Sequence, residues 1–232
     1  MHDFIATLDA LSQHRIHLVP LDMTQQSSIE NVGNILKEKF TRIDLLLNVA
    51  GILGDGVTTP GPERSLLKMD RTWLETTMAV NVIGPVMLTK ELLPLLTQQQ
   101  RRGRPKPDEV ISDLAATPVL RPHAVVANLS ARVGSITDNG LGGWYSYRMS
   151  KTALNQATRT MALEFKRNLV WTVALHPGTT NTDLSKPFHK NVKDGSLFPV
   201  DFTVTQLLNL IDSLQEENSG GFYDWSGRAI SF

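Results

Sequence analysis

The chain has 232 residues, enough for one α/β domain with a stable core, and we expect residues 1–232 to form that single domain. Lysine plus arginine total 23 and aspartate plus glutamate total 23, so the formal net charge of zero gives no reason to expect nucleic acid or an anionic membrane as a partner. The chain has no cysteine, which excludes disulfides, thiolate catalysis and cysteine-based metal sites.

The first residues and the apolar runs argue against export and membrane insertion. Met1–Ala10 mixes His2, Asp3 and Asp9 with apolar residues, which is not the pattern of a signal peptide. No run of about 18 apolar residues is present, so we expect no helix that spans a bilayer. The default expectation is a cytoplasmic protein.

The first half of the chain alternates strand and helix patterns. The pattern predicts a strand at Arg15–Leu21, which ends just before Asp22, and an amphipathic helix at Ser28–Phe40. Ile43–Val49 is a largely apolar run, typical of a strand buried on both faces. A long helix is predicted over roughly Asp70–Gln98.

The second half continues the alternation. Strands are predicted at Ala124–Ser130, Val170–Leu175 and Gly221–Trp225, and helices at about Trp144–Arg167 and Val204–Leu214. Strands separated by helices favour a doubly wound parallel sheet, in which ligands bind at the carboxyl ends of the strands.

Two irregular segments interrupt this pattern. The segment at about 98–122 contains four prolines and several basic residues, and it joins a helix to the start of a strand. We expect it to be a surface insertion on the face opposite the ligand site. The segment at about 183–201 leaves the carboxyl end of a strand and carries Leu184 and Phe188, which suits a substrate lid.

The strongest chemical signal is the pair Tyr147 and Lys151 on the second long helix. Residues four positions apart on a helix share a face, so the phenol and the ammonium point the same way. A tyrosine with its ordinary pKa of about 10 is a poor acid or base at neutral pH. A neighbouring cation favours the phenolate, and we expect Lys151 to lower the pKa of Tyr147.

Other motifs follow in a fixed order along the chain, with Tyr147 and Lys151 between the third and the fourth. They are Asn48-Val-Ala-Gly51, Asn81-Val-Ile-Gly84, Asn128-Leu-Ser130 and Pro177-Gly-Thr-Thr-Asn-Thr182. In this order and spacing the chain resembles the short-chain dehydrogenase/reductase family, in its branch of C-factor-like carbonyl reductases. The resemblance implies a Rossmann-like fold and hydride transfer between NADP or NAD and a small-molecule carbonyl or alcohol. The alternative is a catalytically silent relative that acts as a binding or signalling protein.

The resemblance assigns catalytic roles to three residues. Tyr147 would be the general acid/base, Lys151 would lower its pKa and hold the cofactor ribose, and Asn81 would anchor a water of the proton relay. The sequence supports the last role, because Pro85 lies four residues after Asn81 and cannot donate a hydrogen bond to its carbonyl. We expect the helix to open there.

The substrate-orienting serine has two candidates. The family places this serine three residues after the asparagine of the strand, a position that Ala131 occupies here. Ser130 lies one residue away, which in a regular strand means the opposite face, and Ser135 lies just past Gly134. We favour Ser130, with Ser135 as the alternative.

By resemblance, the cofactor contacts fall on residues that follow the strands. Asp22, with Met23 beside it, would meet the adenine edge, although Asp22 could instead cap the next helix. Val49 replaces the second asparagine of the family's Asn-Asn-Ala-Gly motif. No metal is expected, because the histidines do not pair at metal-ligand spacing. The residues assigned to the cofactor are Asp22, Met23, Asn48, Ala50, Gly51, Tyr147, Lys151, Pro177, Gly178, Thr180 and Thr182.

The chain departs from the family at its beginning. The family opens with a strand, a glycine-rich turn, a helix and a second strand, and nothing in the sequence before Asp22 matches that unit. We therefore expect an N-terminally incomplete fold with exposed strand edges and weak dinucleotide binding. By resemblance we also expect a homodimer or homotetramer, in which Ala153, Ala157 and Ala162 allow close helix approach.

Overall fold

The computed structural model describes residues 15–98 and 123–232. The predicted insertion at 98–122 lies outside the described residues except at Gln98. Within the described part, four parallel strands form one sheet in the order β1-β2-β3-β6. They are β1 (Leu45–Asn48), β2 (Ala124–Leu129), β3 (Val170–His176) and β6 (Phe222–Asp224).

The helices lie close to the predicted segments. They are α1 (Gln26–Lys39), α2 (Arg71–Met78), α3 (Gly84–Leu96), α4 (Tyr145–Phe165) and α5 (Val200–Ser213). A single π-helical turn, Ala79–Ile83, joins α2 to α3, so the predicted long helix is continuous but opened in its middle.

Helices cover both faces of the sheet, as the packing of the β2 side chains shows. Its even-numbered residues Ala124 and Val126 pack with α1, α3 and α4 in one core cluster. Its odd-numbered residues Val125 and Ala127 pack in a second cluster with the end of α5. Successive side chains of a strand point to opposite faces, so a strand covered on both sides must be apolar throughout. The predicted α/β, doubly wound parallel sheet is confirmed.

Two predictions are wrong near the first edge of the sheet: a strand, and the burial of its neighbour. Residues 15–21 are not a strand, because no strand among the described residues lies beside them to accept ladder hydrogen bonds. The strand β1 is not buried on both faces: Leu47 is 43% exposed, and Val49, just past its end, is 59% exposed. Within the described residues β1 pairs only with β2, which explains the exposure.

The helical stretch Arg71–Leu96 also corrects an expectation. By its length and composition it could cross a membrane, whereas the sequence led us to expect no such helix. Half of its most apolar window is buried inside the fold, where α3 packs against α1 and the sheet. Burial of this kind is typical of a core helix.

The segment predicted as a lid is more ordered than a loop. It contains a 3₁₀ helix, Lys186–Asn191, and the short strand β5 (Leu197–Phe198), which pairs in parallel with β4 (Thr179–Thr180). The following helix α5 begins at Val200, four residues earlier than predicted. Pro199 ends the extended segment, and its φ of −60° leads directly into the helix.

Candidate active site

A cavity of about 680 Å³ lies at the carboxyl ends of β1, β2 and β3; we call it the sheet-end cavity. Its floor comes from residues that end these strands, such as Leu129 and His176. Residues Leu184 to Val192 and the start of α5 form the opposite side. Parallel strands bring their carboxyl ends to one edge, so residues distant in sequence meet here.

Tyr147 and Lys151 lie one turn apart on α4, and both line the sheet-end cavity. The Lys151 ammonium nitrogen is 5.7 Å from the centre of the Tyr147 ring. Tyr147 is buried, and this burial raises the pKa of its phenol to about 12. The direction is opposite to the lowering expected from Lys151, because loss of hydration of the phenolate is the dominant cause.

Lys151 is held at the floor of the cavity. Its Nζ donates a hydrogen bond of 2.7 Å to the carbonyl oxygen of Leu129, at the end of β2. Burial lowers the pKa of Lys151 to about 8, because the charged ammonium loses hydration. The side chain of Lys151 therefore changes its charge only slightly above neutral pH.

The structure separates the two candidate serines. Ser130 lines the sheet-end cavity, and its Oγ donates to Oδ1 of Asn155 over 2.6 Å. Ser135 does not line the cavity; its Oγ donates to the carbonyl of Ser231 over 2.5 Å. Ala131 lines the cavity but has no hydroxyl. Among these three positions, only Ser130 combines a hydroxyl with a place on the cavity surface.

Asn81 lies buried in the π-helical turn, which is opened as Pro85 led us to expect. Its side chain forms two hydrogen bonds with the backbone of Ile52, accepting from N–H at 2.8 Å and donating to C=O at 2.9 Å. Its Nδ2 also donates to Oγ of Ser150 on α4, at 3.0 Å. Asn81 therefore ties the loop after β1 to α4 and lies just outside the cavity surface.

The residues assigned to the nicotinamide half of a cofactor lie together. Gly51 lines the cavity, and a Cβ on it would lie 3.4 Å from Nζ of Lys151, so the backbone of Gly51 lies beside the lysine. Gly178 has a φ of +74°, and a Cβ there would come within 2.7 Å of the Phe198 ring. Pro177, Thr180 and Thr182 complete this side of the cavity. These residues fit a flat, polar group beside Lys151.

The remaining cofactor candidates lie away from the cavity surface. Asp22 accepts hydrogen bonds from the N–H and hydroxyl of Thr24, which lower its pKa, so it closes a turn just before α1. Met23 packs against Gly84. Asn48 is buried and donates to Oδ1 of Asn128 at 2.8 Å, which links β1 to β2. Ala50 is exposed.

Trp144 and Glu63 lie close together and position the start of α4. Neither was assigned a role from the sequence. Trp144 has a φ of +56°, a costly conformation for a bulky side chain, and its N–H donates to the carbonyl of Glu63 at 2.5 Å. The buried carboxylate of Glu63 accepts from both the N–H and the hydroxyl of Ser146. The glycines before Trp144 were the available signal for a turn with positive φ, but nothing in the pattern indicated Glu63.

The histidines of the described residues are not grouped with other metal-ligating side chains. Within residues 15–98 and 123–232, no group of three His, Cys, Asp or Glu side chains could hold a metal ion. His176 lines the cavity, and burial, with the nearby Arg132 cation, lowers its pKa to about 4. His189 shares a hydrogen bond of 2.7 Å with Ser185 in the segment opposite.

Comparison with known proteins identifies a family and a relative of this chain. Residues 1–104 and 119–193 match the family model described as short chain dehydrogenase. The C-signal protein of Myxococcus xanthus is 32% identical over 188 residues, which are 81% of this chain and 92% of that protein.

Solved structures of similar fold include carbonyl reductases. The NADPH-bound carbonyl reductase from chicken fatty liver has a TM-score of 0.77 and 28% identity, over 96% of this chain and 80% of that one. The carbonyl reductase Sniffer of D. melanogaster has a TM-score of 0.79 and 25% identity, over 99% of this chain and 83% of that one. Both similarities extend through the elements that form the sheet-end cavity.

Proposed function

Because the chain belongs to the short-chain dehydrogenase family, we propose that it is an oxidoreductase that transfers a hydride between NADP or NAD and a small-molecule carbonyl or alcohol. The observation that carries the proposal is the placement of Tyr147, Lys151 and Ser130 on the surface of one cavity. That cavity lies where a doubly wound sheet binds its ligands.

Tyr147 transfers the proton in this proposal. Burial raises the pKa of its phenol, so the proton is on the oxygen at neutral pH when a carbonyl is to be reduced. The same rise makes the phenol a weaker acid, and Lys151 has to offset it during proton transfer. Lys151 places a positive charge beside the phenol and stabilises the phenolate that remains. Ser130 offers a hydroxyl to the same carbonyl oxygen, and Asn81 holds the loop after β1 against α4.

The bound nicotinamide cofactor supplies or accepts the hydride. Gly51, Lys151 and residues Pro177 to Thr182 would hold its nicotinamide and ribose, since they line the cavity beside Tyr147. Contacts to the adenosine ribose determine the choice between NADP and NAD. The NADPH of the chicken carbonyl reductase favours NADP as the first cofactor to test.

The alternative is a silent relative that binds a ligand or signals. The name of the Myxococcus protein is in keeping with such a role. We favour the enzyme, because a tyrosine, a lysine and a serine that could transfer a proton and orient a carbonyl lie on one cavity surface.

We further propose that the protein acts in the cytoplasm and that its chains associate into a homodimer or homotetramer through α2, α3 and α4. On α4, Ala162 is buried within the fold and Ala157 packs on the core, so neither supports this interface as expected. Met149 and Leu163 on α4 and Ile83 in the π-helical turn are exposed apolar side chains that support it instead.

The test of the enzymatic proposal is a pair of tyrosine variants on α4. Tyr147→Phe removes the phenolic hydroxyl and keeps the ring, so we expect turnover to fall at least about 100-fold. Tyr145→Phe makes the same change two residues earlier, outside the cavity surface, and should keep the parent rate. Turnover is followed by NADPH consumption with aromatic ketones at millimolar NADPH. Activity of Tyr147→Phe within about tenfold of the parent would refute the assignment.

A further inference from the structure

The sheet-end cavity has an uneven charge. Three cations, Arg64, Arg132 and Lys151, line it, and no aspartate or glutamate among the described residues does so. The whole chain has a formal net charge of zero, so this excess of positive charge is local. A cavity lined by one sign of charge attracts ligands of the opposite sign.

Two of the three cations already have partners. Lys151 donates to the Leu129 carbonyl at the cavity floor. Arg132 forms ion pairs with Asp138, at 2.7 Å, and Asp224, at 3.4 Å. Neither is therefore the natural partner of an anionic ligand.

Arg64 is different. In the part of the chain that the structure describes, its guanidinium forms no ion pair and no hydrogen bond, although it lines the cavity. The nearest acid in sequence, Glu63, has its carboxylate engaged by Ser146. The Arg64 backbone lies close to α4: its Cα is 3.6 Å from where a Cβ on Gly143 would be. Arg64 thus lies beside the turn that precedes α4, the helix that carries Tyr147, and lines the same cavity.

The rest of the cavity surface is mostly apolar. The rings of Trp144 and Phe188 pack against each other there, with centres 5.0 Å apart. Four further apolar side chains face the cavity and are between 40% and 49% exposed: Leu184, Val200, Val204 and Leu208. Exposed apolar surface that lines a cavity of this size suits an apolar ligand.

We propose that the substrate is an apolar carbonyl compound that carries a carboxylate, which Arg64 binds while the carbonyl meets Tyr147. The inference rests on the proposed function and adds the class of substrate. The planar guanidinium binds a carboxylate through two parallel hydrogen bonds, so Arg64 would select for the acid and also fix its orientation.

The test compares a carboxylate probe with its neutral methyl ester, which keeps the same aromatic ketone. The ketone 4-acetylbenzoate carries a carboxylate, and its methyl ester is neutral. Calorimetric titration into the purified chain without cofactor should show the acid binding about tenfold more tightly than the ester. Arg64→Gln should remove most of that preference and leave the affinity of the ester unchanged. Arg71→Gln is the matched control, because Arg71 pairs with Glu75 outside the cavity.

Several outcomes would overturn the proposal. They are an equal affinity of the parent for acid and ester, an equal loss for both probes in Arg64→Gln, and no binding of either probe at millimolar concentration. A third arm titrates nicotinamide mononucleotide. If Arg64→Gln weakens this nucleotide and spares the benzoate, the anion that Arg64 binds is the cofactor phosphate and the proposal fails.

The titrations do not depend on hydride transfer, so the two proposals can fail separately. If the acid binds through Arg64 but no carbonyl compound supports NADPH consumption, the enzymatic proposal fails. If the methyl ester is reduced as well as the acid, the enzymatic proposal stands and the inference about the substrate class fails.

Discussion

At the scale of single residues, Ser130 and Ser135 differ in what their hydroxyls can reach. We expect Ser130→Ala to lower kcat on the order of 100-fold, because its hydroxyl can turn from Asn155 to a carbonyl oxygen in the cavity. Ser135→Ala removes a hydrogen bond to Ser231 and should affect stability more than turnover. Steady-state kinetics of both variants, with urea unfolding for each, decide the matter. The reverse ranking in kcat would transfer the role to Ser135.

The buried side chain of His176 should make the stability of the fold depend on pH. Its pKa is lowered from 6.5 to about 4, so the folded state disfavours protonation that the unfolded state accepts. The associated stability is fully present above about pH 6.5 and is lost as the pH falls towards 4. We expect the urea midpoint to drop between pH 7 and pH 4.5, and to drop less in His176→Asn. An identical drop in both proteins would mean that other groups dominate.

At the scale of elements, the start of α4 depends on Glu63. Glu63→Ala leaves the buried donors of Ser146 without a partner, so we expect a loss of about 1–3 kcal/mol in unfolding free energy and a lower kcat. Asp70→Ala removes the exposed cap of α2, which accepts from the Trp73 N–H, and should cost about 1 kcal/mol without changing kcat. Urea unfolding and turnover measure both. A Glu63 variant that loses stability but keeps the parent kcat would show that the contact between Glu63 and Ser146 does not position Tyr147.

The helices were predictable where local pattern decides the structure. The apolar pattern indicated α4, and the position of Pro85 indicated the opening between α2 and α3. The first strand could not be predicted correctly, because residues 15–21 have a strand composition but lack a strand partner in the described part of the fold. A strand is a property of a pair of segments, whereas a helix closes its hydrogen bonds within itself.

The candidate site was predictable in part for a similar reason. Tyr147 and Lys151 are linked by helical spacing, which sequence shows directly. Glu63 and Arg64 reach the same site from a loop more than 80 positions before Ser146, and no local pattern carries that contact. Family resemblance located the reactive groups, and the contacts that orient them became visible only in three dimensions.

At the scale of the whole molecule, the cavity offers more to one half of a dinucleotide than to the other. The cavity-lining candidates lie on the nicotinamide side, whereas Asp22 is engaged in a turn with Thr24. We expect the dissociation constants of NADPH and NADH from the purified chain to lie above the low micromolar range. The affinity for NADPH should be close to the affinity for nicotinamide mononucleotide. Calorimetry with all three ligands tests this. A low-micromolar Kd for either dinucleotide would show that residues beyond this cavity bind the adenosine half.

The two edge strands of the sheet, β1 and β6, differ in how well they are protected against aggregation. Past β6, the chain folds back so that Ile230 and Arg228 form backbone hydrogen bonds with Phe222 and Asp224 and cover that edge. Along β1 the described chain has no such cover, and Leu47 lies in the open. A bare strand with apolar side chains is a template for a strand of another chain. We therefore expect slow aggregation of concentrated samples to begin at β1.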